Sequence, residues 1–225
     1  MSKDLKKQLN NVIESMRYQF GTHSFLDMFI DYWCFLHTEM YPPSETVIEQ
    51  LSVPDIQKDC QLMTHLICKL AIEEGETDVL GDLLSKYSSL AHTNDFFPTP
   101  IALAKLLAGL NRAGMNEDSG AISLYEPCVG SGAVTLSFIE NEYFDHLDKS
   151  SPLDHLTVCV EEISELLCKA FLIQLLLKLQ HLEYVGENLR FRPASSFSRS
   201  MSFQENKERS VLIWNHRRVR KKPCI

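Results

Sequence analysis

The chain has 225 residues, 44% of them hydrophobic and 23% charged, which is enough to bury a core and excludes a largely disordered protein. The longest apolar stretch, near residues 166–179, is too short and too interrupted to cross a bilayer, and no apolar signal segment follows Met1. With a formal net charge of −8, the composition predicts a cytoplasmic globular protein.

Residues 1–92 are predicted to form a helical N-terminal region, because their apolar side chains recur at helical spacing on either side of a break at Tyr-Pro-Pro-Ser, residues 41–44. Within it, Cys60, His65 and Cys68 could be imagined as metal ligands. Their spacing matches no usual zinc pattern, so no metal site is predicted. The seven cysteines of the chain include no Cys-x-x-Cys pair and are expected to be reduced.

From about residue 94 the pattern changes to alternating strands and helices. Thr99 is a plausible N-cap, with Pro100 at the first position of a helix that continues to Leu110. A short apolar strand, residues 121–125, follows, and then comes the segment Glu-Pro-Cys-Val-Gly-Ser-Gly, residues 126–132. Residues 133–139 have the apolar spacing of a helix.

The order of strand, glycine-rich turn and helix indicates an anion site. Gly130 and Gly132 let the backbone approach a ligand closely, and the unpaired amides at the helix start favour a carboxylate or phosphate. An ordinary tight turn between a strand and a helix is the alternative.

A polar loop is predicted over residues 141–155, followed by a strand, residues 156–160, that ends in Glu161-Glu162-Ile163-Ser164. Ser164 is expected to cap a long helix that is apolar on nearly all sides. Residues 184–189 are interpreted as the end of a third strand and the start of its loop, which would carry Glu187 and Asn188.

The C-terminal part is Ser-rich from residue 195 to 210, where poor order is expected, and then contains an apolar strand, residues 211–214, followed by Asn215. From residue 190 onward there are ten Lys or Arg against two acidic residues, whereas residues 1–189 carry a net charge of −16. Any contact with nucleic-acid phosphates is therefore expected from this tail.

Four motifs occur in a characteristic order: Phe-x-Thr-Pro at 97–100, Glu-Pro-x-x-Gly-Ser-Gly at 126–132, Glu-Ile-Ser at 162–164 and Gly-Glu-Asn-Leu at 186–189. In this order they resemble the N6-adenine DNA methyltransferases, particularly the modification subunits of type I restriction-modification systems. The resemblance covers about residues 78–190, with residues 78–82 similar to the segment that commonly precedes Phe-x-Thr-Pro.

The resemblance implies an α/β fold in which a helical region, 1–92, precedes a partial Rossmann-like methyltransferase domain, 93–194, and a polar, basic tail, 195–225. It also implies S-adenosylmethionine as cofactor. DNA would be a partner, as would a specificity subunit or another methylase subunit.

Each motif has an implied role toward that cofactor. The amides of Gly130, Ser131 and Gly132 suit the methionine carboxylate, and Glu126, followed by Pro127, suits the ammonium or sulfonium. The implied partner of the ribose diol is Glu162, followed by Ile163, with Glu161 as the alternative.

The remaining motifs would complete the cofactor site. The implied partners of the adenine amine are Glu187 and Asn188, while Phe97, Thr99 and Pro100 would pack over the methionine end. A dinucleotide is the neighbouring alternative, but Thr135 stands where such a site expects a third glycine.

The family's catalytic Asn-Pro-Pro-Phe motif is not intact here. Asn215 follows a strand as the family's asparagine does, but the prolines and the aromatic residue that stacks on a flipped base are absent. Asn215 is the implied catalytic residue, and little or no methylation by this chain alone is expected. The competing hypothesis is a catalytically incomplete remnant or accessory protein that binds cofactor, DNA or a full-length methylase subunit.

The resemblance also carries an expectation about the strand at 211–214. In related sheets that strand is interior and its second neighbour comes later in sequence, so here it is expected to be an exposed apolar edge. The expected result is marginal solubility or self-association.

Overall fold

The computed structural model describes residues 2–21, 23–93, 96–113, 120–189, 200–206 and 209–215, with side chains described up to residue 186 apart from residue 92. The N-terminal helices are α1 (Ser2–Phe20), α2 (Ser24–Thr38), α3 (Glu45–Leu51), α4 (Pro54–Cys68) with a π-helical turn (Lys69–Glu73), α5 (Val79–Tyr87) and α6 (Ser89–Thr93). There follow α7 (Ile101–Ala113), β1 (Ile122–Glu126), α8 (Ala133–Asp145), β2 (Leu156–Glu162), α9 (Glu165–Leu189), β3 (Ser200–Asn206) and β4 (Arg209–Asn215).

The predicted helical character of the first 92 residues is confirmed by α1 to α6. Helix α1 buries one apolar stripe, and α2 buries a second that contains Phe29 and Trp33. Both helices belong to one continuous core, to which the largely buried α9 contributes Phe171 and Leu175. Burial of such stripes from water is the main stabilising term for these helices.

The sheet contains parallel and antiparallel neighbours. Its strand order is β1-β2-β4-β3, with β1 and β2 parallel and joined through α8, while β4 pairs antiparallel with both β2 and β3. The mixed α/β class is confirmed. Because β1 and β2 are parallel, their carboxyl ends, at Glu126 and Glu162, lie at the same edge of the sheet.

The prediction that residues 184–189 end a third strand and begin its loop is wrong, because these residues form the last turns of α9. Gly186 is buried there, and a Cβ on it would lie 3.1 Å from Tyr143 Cζ and closer still to the hydroxyl. The glycine therefore permits α9 to pack closely on α8, and it does not end a strand.

The strand predicted at residues 211–214 is confirmed as part of β4, but its expected exposure as a sheet edge is wrong, since β4 lies between β2 and β3. Part of the segment expected to be poorly ordered forms β3, so the sheet extends past the predicted domain limit at residue 194. Residues 190–199, 207–208 and 216–225, which include most of the basic tail, lie outside the described residues.

Two helix boundaries differ from the predictions. Helix α8 continues to Asp145 and buries Glu142 and Tyr143, so the loop begins later than residue 141. The carbonyl of Pro100 accepts from the amides of Leu103 and Ala104, which places Pro100 just before α7 and not in its first turn.

The predicted cap of α9 is confirmed, because the amide of Leu167 donates to Ser164 Oγ at 3.4 Å. None of the helices in the described residues is long and apolar enough to cross a membrane.

Candidate functional site

The glycine-rich turn lies between β1 and α8, at the carboxyl edge of the two parallel strands. Gly130 has φ +57° and Gly132 has φ +103°, a region that favours glycine. A Cβ on Gly132 would lie 2.9 Å from Phe171 Cε2 and closer to Cδ2, so the turn packs directly on α9. Both glycines are thus required by the backbone path itself.

Glu162 closes the turn from the side of β2. Its side chain accepts hydrogen bonds from the amide of Gly130 at 2.9 Å, of Ile163 at 2.7 Å and of Ser164 at 2.9 Å. Glu162 is 8% exposed, and its two oxygens offer about four acceptor positions, so the described bonds leave limited capacity for a ligand. A ribose-binding role for Glu162 stays a prediction.

Glu126, at the end of β1, is half-buried and accepts a hydrogen bond from the Thr135 hydroxyl. Burial is the largest effect on this carboxyl and raises its pKa, although the Thr135 bond acts in the opposite direction. The role of Thr135 was not predicted. Its polar side chain inside an otherwise apolar first turn of α8 was the available signal.

Asp78 connects the start of α5 to the turn. Its carboxylate accepts from the Gly81 amide at 3.0 Å, from the Ser131 hydroxyl at 2.9 Å and from Gln174 Nε2 at 2.8 Å. Burial raises the pKa of Asp78 against the effect of these three donors. The segment at 78–82 is therefore in contact with the glycine-rich turn.

Gln174, on α9, completes this network. Its Nε2 also donates to the Ser131 carbonyl at 2.6 Å, and its Oε1 accepts from the Leu80 amide at 2.9 Å. Gln174 was not predicted as a site residue, although an uncharged polar residue within the apolar α9 was a visible signal. Ser131 is buried, its hydroxyl donates to Asp78 and its carbonyl accepts from Gln174, so both groups support the turn.

The Phe-Phe-Pro-Thr-Pro segment is placed beside the turn through Phe96. A Cβ on Gly130 would make an ordinary 3.5 Å contact with Phe96 Cε2, and Phe96 packs against the core. Phe97 is instead 79% exposed, Thr99 is half-buried and Pro100 is exposed. The sequence motif pointed to Phe97, whereas Phe96 is the phenylalanine that packs beside the turn. A motif match does not show which of two neighbouring side chains is buried.

Apolar side chains flanking the turn are also exposed. Ile163 is 81% exposed, and Tyr125 and Pro127 are exposed at the end of β1 and the start of the turn. The Tyr125 hydroxyl donates to Glu161 Oε1 at 2.9 Å, which gives Glu161 a partner at this edge. The carboxyl edge therefore presents apolar surface next to buried carboxylates.

Two predicted site segments are not brought to this edge as expected. Glu187 and Asn188 lie in the last turn of α9, and their side chains are outside the described part of the chain. Asn215 pairs with Thr157 at the start of β2, because β4 runs antiparallel to β2. At 3.3–3.4 Å per residue, Asn215 is about 17 Å along the sheet from the position opposite Glu162. Asn215 therefore lies at the opposite end of β2 from the glycine-rich turn, and its catalytic role stays a prediction.

No protein-family model, curated protein or solved structure gives a significant match to this chain.

Proposed function

We propose that the glycine-rich turn binds S-adenosylmethionine and that the chain is part of an N6-adenine DNA methyltransferase of the restriction-modification type. The observation that carries the cofactor proposal is the unit formed by β1, the turn, α8 and β2, with Glu126 and Glu162 at one sheet edge. In open α/β sheets, ligands bind at the carboxyl ends of the parallel strands.

The methionine carboxylate would face the first turn of α8. The amide of Gly130 is already bonded to Glu162, and that of Gly132 is bonded to the Val129 carbonyl. The amides of Ala133 and Val134 have no acceptor within an α-helix, since the first turn lacks preceding carbonyls. Together with the positive end of the helix dipole, they favour an anion.

The charges at the edge favour S-adenosylmethionine over a dinucleotide. Two carboxylates, Glu126 and Glu162, lie next to the turn, where they would repel a pyrophosphate and attract an ammonium or sulfonium. Thr135 occupies the position of the third glycine of a dinucleotide fingerprint and hydrogen-bonds Glu126. The exposed Phe97 and Ile163 offer apolar surface for the rest of the cofactor.

Methyl transfer to adenine N6 rests on the resemblance of the four sequence motifs. The amine would attack the cofactor's methyl group directly, and the cofactor would leave as the demethylated thioether. DNA and a specificity subunit or another methylase subunit are the proposed partners.

A second candidate is a chain that binds the cofactor without transferring its methyl group alone. The register of β4 favours it, because Asn215 pairs with Thr157 at the end of the sheet away from Glu126. Such a chain would act as an accessory protein or as one part of a complete methylase.

Calorimetry with S-adenosylmethionine and its demethylated product tests the cofactor proposal. We expect binding that Gly130→Val and Glu162→Ala greatly weaken, while the exposed control Glu49→Ala leaves it unchanged. Circular dichroism of every variant establishes that it is folded. Absence of binding by folded wild-type protein would refute the proposal.

Transfer of a labelled methyl group to mixed-sequence DNA separates the two candidates. Turnover above background supports the methyltransferase, and loss of that turnover in Asn215→Ala would mean that the described register of β4 does not hold in the active protein. Binding without turnover supports the accessory role.

A further inference from the structure

A second polar cluster lies at the other end of β2 from the glycine-rich turn. Glu142 is in the last turns of α8, His146 directly follows that helix, and His155 directly precedes β2. Since β2 separates His155 from Glu162 by seven residues, the cluster is about 20 Å from the candidate cofactor site. It is therefore independent of that site.

Glu142 is the centre of the cluster and is fully buried. Arg112 on α7 pairs with its Oε1, and His155 Nε2 is 2.9 Å from its Oε2. His146 Nδ1 is 3.7 Å from the same Oε2. A buried carboxylate requires compensating charge or hydrogen bonds, and here one oxygen faces a guanidinium while the other faces two imidazoles.

The two histidines are held side by side. Their ring centroids are 4.2 Å apart, and His146 Nδ1 bonds to the Glu142 carbonyl at 2.9 Å, which orients the ring. His155 Nδ1 is buried and has no hydrogen-bond partner among the described residues, while its own carbonyl accepts from the Ile122 amide. These bonds hold both rings next to Glu142, and a metal ion would replace the bond between His155 Nε2 and the Glu142 carboxylate.

We propose that Glu142, His146 and His155 bind a divalent transition-metal ion of the zinc class. One ligand atom from each of the three residues lies within 4.8 Å of the others. Tetrahedral zinc with bonds of about 2.0–2.2 Å places its ligand atoms about 3.4 Å apart, so the site would form by side-chain rotations that also release His146 Nδ1 from the Glu142 carbonyl or present Nε2 of that ring instead. Two imidazoles with one carboxylate suit zinc, cobalt or nickel better than magnesium or calcium.

The surrounding residues are suited to a bound cation. Arg112 supplies the hydrogen bond that ligating carboxylates usually receive from a neighbouring residue, and it has a second carboxylate partner, Asp145, at 2.8 Å. Asp145 would therefore still balance the positive charge of Arg112 when the carboxylate of Glu142 binds the metal ion. The ion would connect α8 to the start of β2 and leave a fourth position for water.

The test uses metal-free wild-type protein prepared with a chelator and then titrated with Co²⁺ and Zn²⁺. We expect visible Co²⁺ absorption without a thiolate charge-transfer band, and a rise of several degrees in unfolding temperature with excess Zn²⁺. His146→Ala and His155→Ala should each weaken metal binding at least about 100-fold, because loss of a ligand costs more than loss of an outer partner. The exposed His65→Ala is the control and should bind normally.

Three results would overturn the proposal. They are folded wild-type protein that binds neither ion, unchanged affinity in both cluster variants, and a thiolate band showing that cysteines hold the metal. X-ray absorption of the wild-type protein at the zinc edge decides the matter even where a variant fails to fold. Two imidazole ligands and no sulfur are expected, and sulfur ligation would refute the site.

Discussion

The Glu162 carboxylate accepts a hydrogen bond from the amide of Gly130 at 2.9 Å, and this bond joins the end of β2 to the glycine-rich turn after β1. The same side chain accepts from the amides of Ile163 and Ser164, where the chain leaves the strand. Glu162 thus holds the geometry of the edge in addition to any part it has in binding a ligand. A loss of ligand binding in a Glu162 variant must therefore be separated from a loss of structure.

Glu162→Ala is expected to lower the free energy of unfolding by about 1–3 kcal/mol, because it removes three hydrogen bonds from partly buried amides to a charged acceptor. Glu49→Ala, at an exposed position of α3, should change it by less than about 0.5 kcal/mol. Urea unfolding of both variants gives the comparison. Equal stabilities would show that the described bonds are not significant in solution.

Gly132→Ala should be strongly destabilising, whereas Gly109→Ala should stabilise the protein. At Gly132 the new methyl group would overlap the Phe171 ring, and φ is +103°, so both packing and backbone oppose it. At Gly109, inside α7, a Cβ would meet nothing within 4 Å, and the gain in helix propensity is about 0.5–1 kcal/mol. Thermal unfolding of the pair should give shifts of opposite sign.

The local order of strand, turn and helix could be predicted because each step has a short-range cause. Gly130 and Gly132 mark a backbone that needs positive φ, and Ser164 marks a helix start through its own side chain. The sequence also shows that β4 is a strand. The direction in which β4 pairs with β2 depends on long-range packing, so the sequence did not show at which end of the sheet Asn215 lies.

The assignment of Gly186 failed for a related reason. A glycine near polar residues resembles a turn in sequence, but the structure uses it to admit the Tyr143 side chain between α8 and α9. The polar cluster around Glu142 was missed because its members come from two helices and a loop. Only the fold brings Arg112, Glu142 and His155 together.

Gly186→Ala tests whether residues 184–189 are helical and packed on α8. The added Cβ would overlap the Tyr143 hydroxyl, so we expect a loss of about 1–3 kcal/mol in stability. Tyr143→Phe removes the atom in closest contact and should recover part of this loss in the double variant. Such coupling is measured by a double-mutant cycle, and simple additivity would contradict the described packing.

Glu126→Gln should make the stability of the protein depend less on pH. Burial raises the pKa of Glu126 in the folded state above its unfolded value of about 4.3, so the native state binds more protons between these two values. The contribution of Glu126 to stability therefore falls as the pH rises through this window and is constant above it. Glutamine keeps an acceptor for Thr135 without the charge, which removes part of the fall.

Urea unfolding of wild type and Glu126→Gln at a series of pH values from about 4 to 7 measures this difference. The exposed Glu49→Gln serves as the control and should follow the wild-type curve. Asp78, whose pKa is also raised by burial, should leave a residual slope of the same sign in the variant. A steeper slope in Glu126→Gln would contradict the described environment of Glu126.

The antiparallel register of β2 and β4 predicts a specific disulfide. Cys159 and Ile213 are direct Cα partners in this register, and side chains at directly opposite positions of an antiparallel pair generally have Cβ atoms about 4.5–5.5 Å apart. Mild oxidation of Ile213→Cys should therefore join residues 159 and 213, as identified by mass spectrometry of a proteolytic digest.

The matched control is Leu212→Cys. Position 212 pairs with Val160, which alternates with Cys159 along β2, so a cysteine there should not join to Cys159. A disulfide to Cys159 in the control but not in Ile213→Cys would show that the true register differs by one residue from the one described. Absence of the disulfide in both variants would mean that β4 does not pair with β2 as described. The position of Asn215 in the sheet would then have to be determined again.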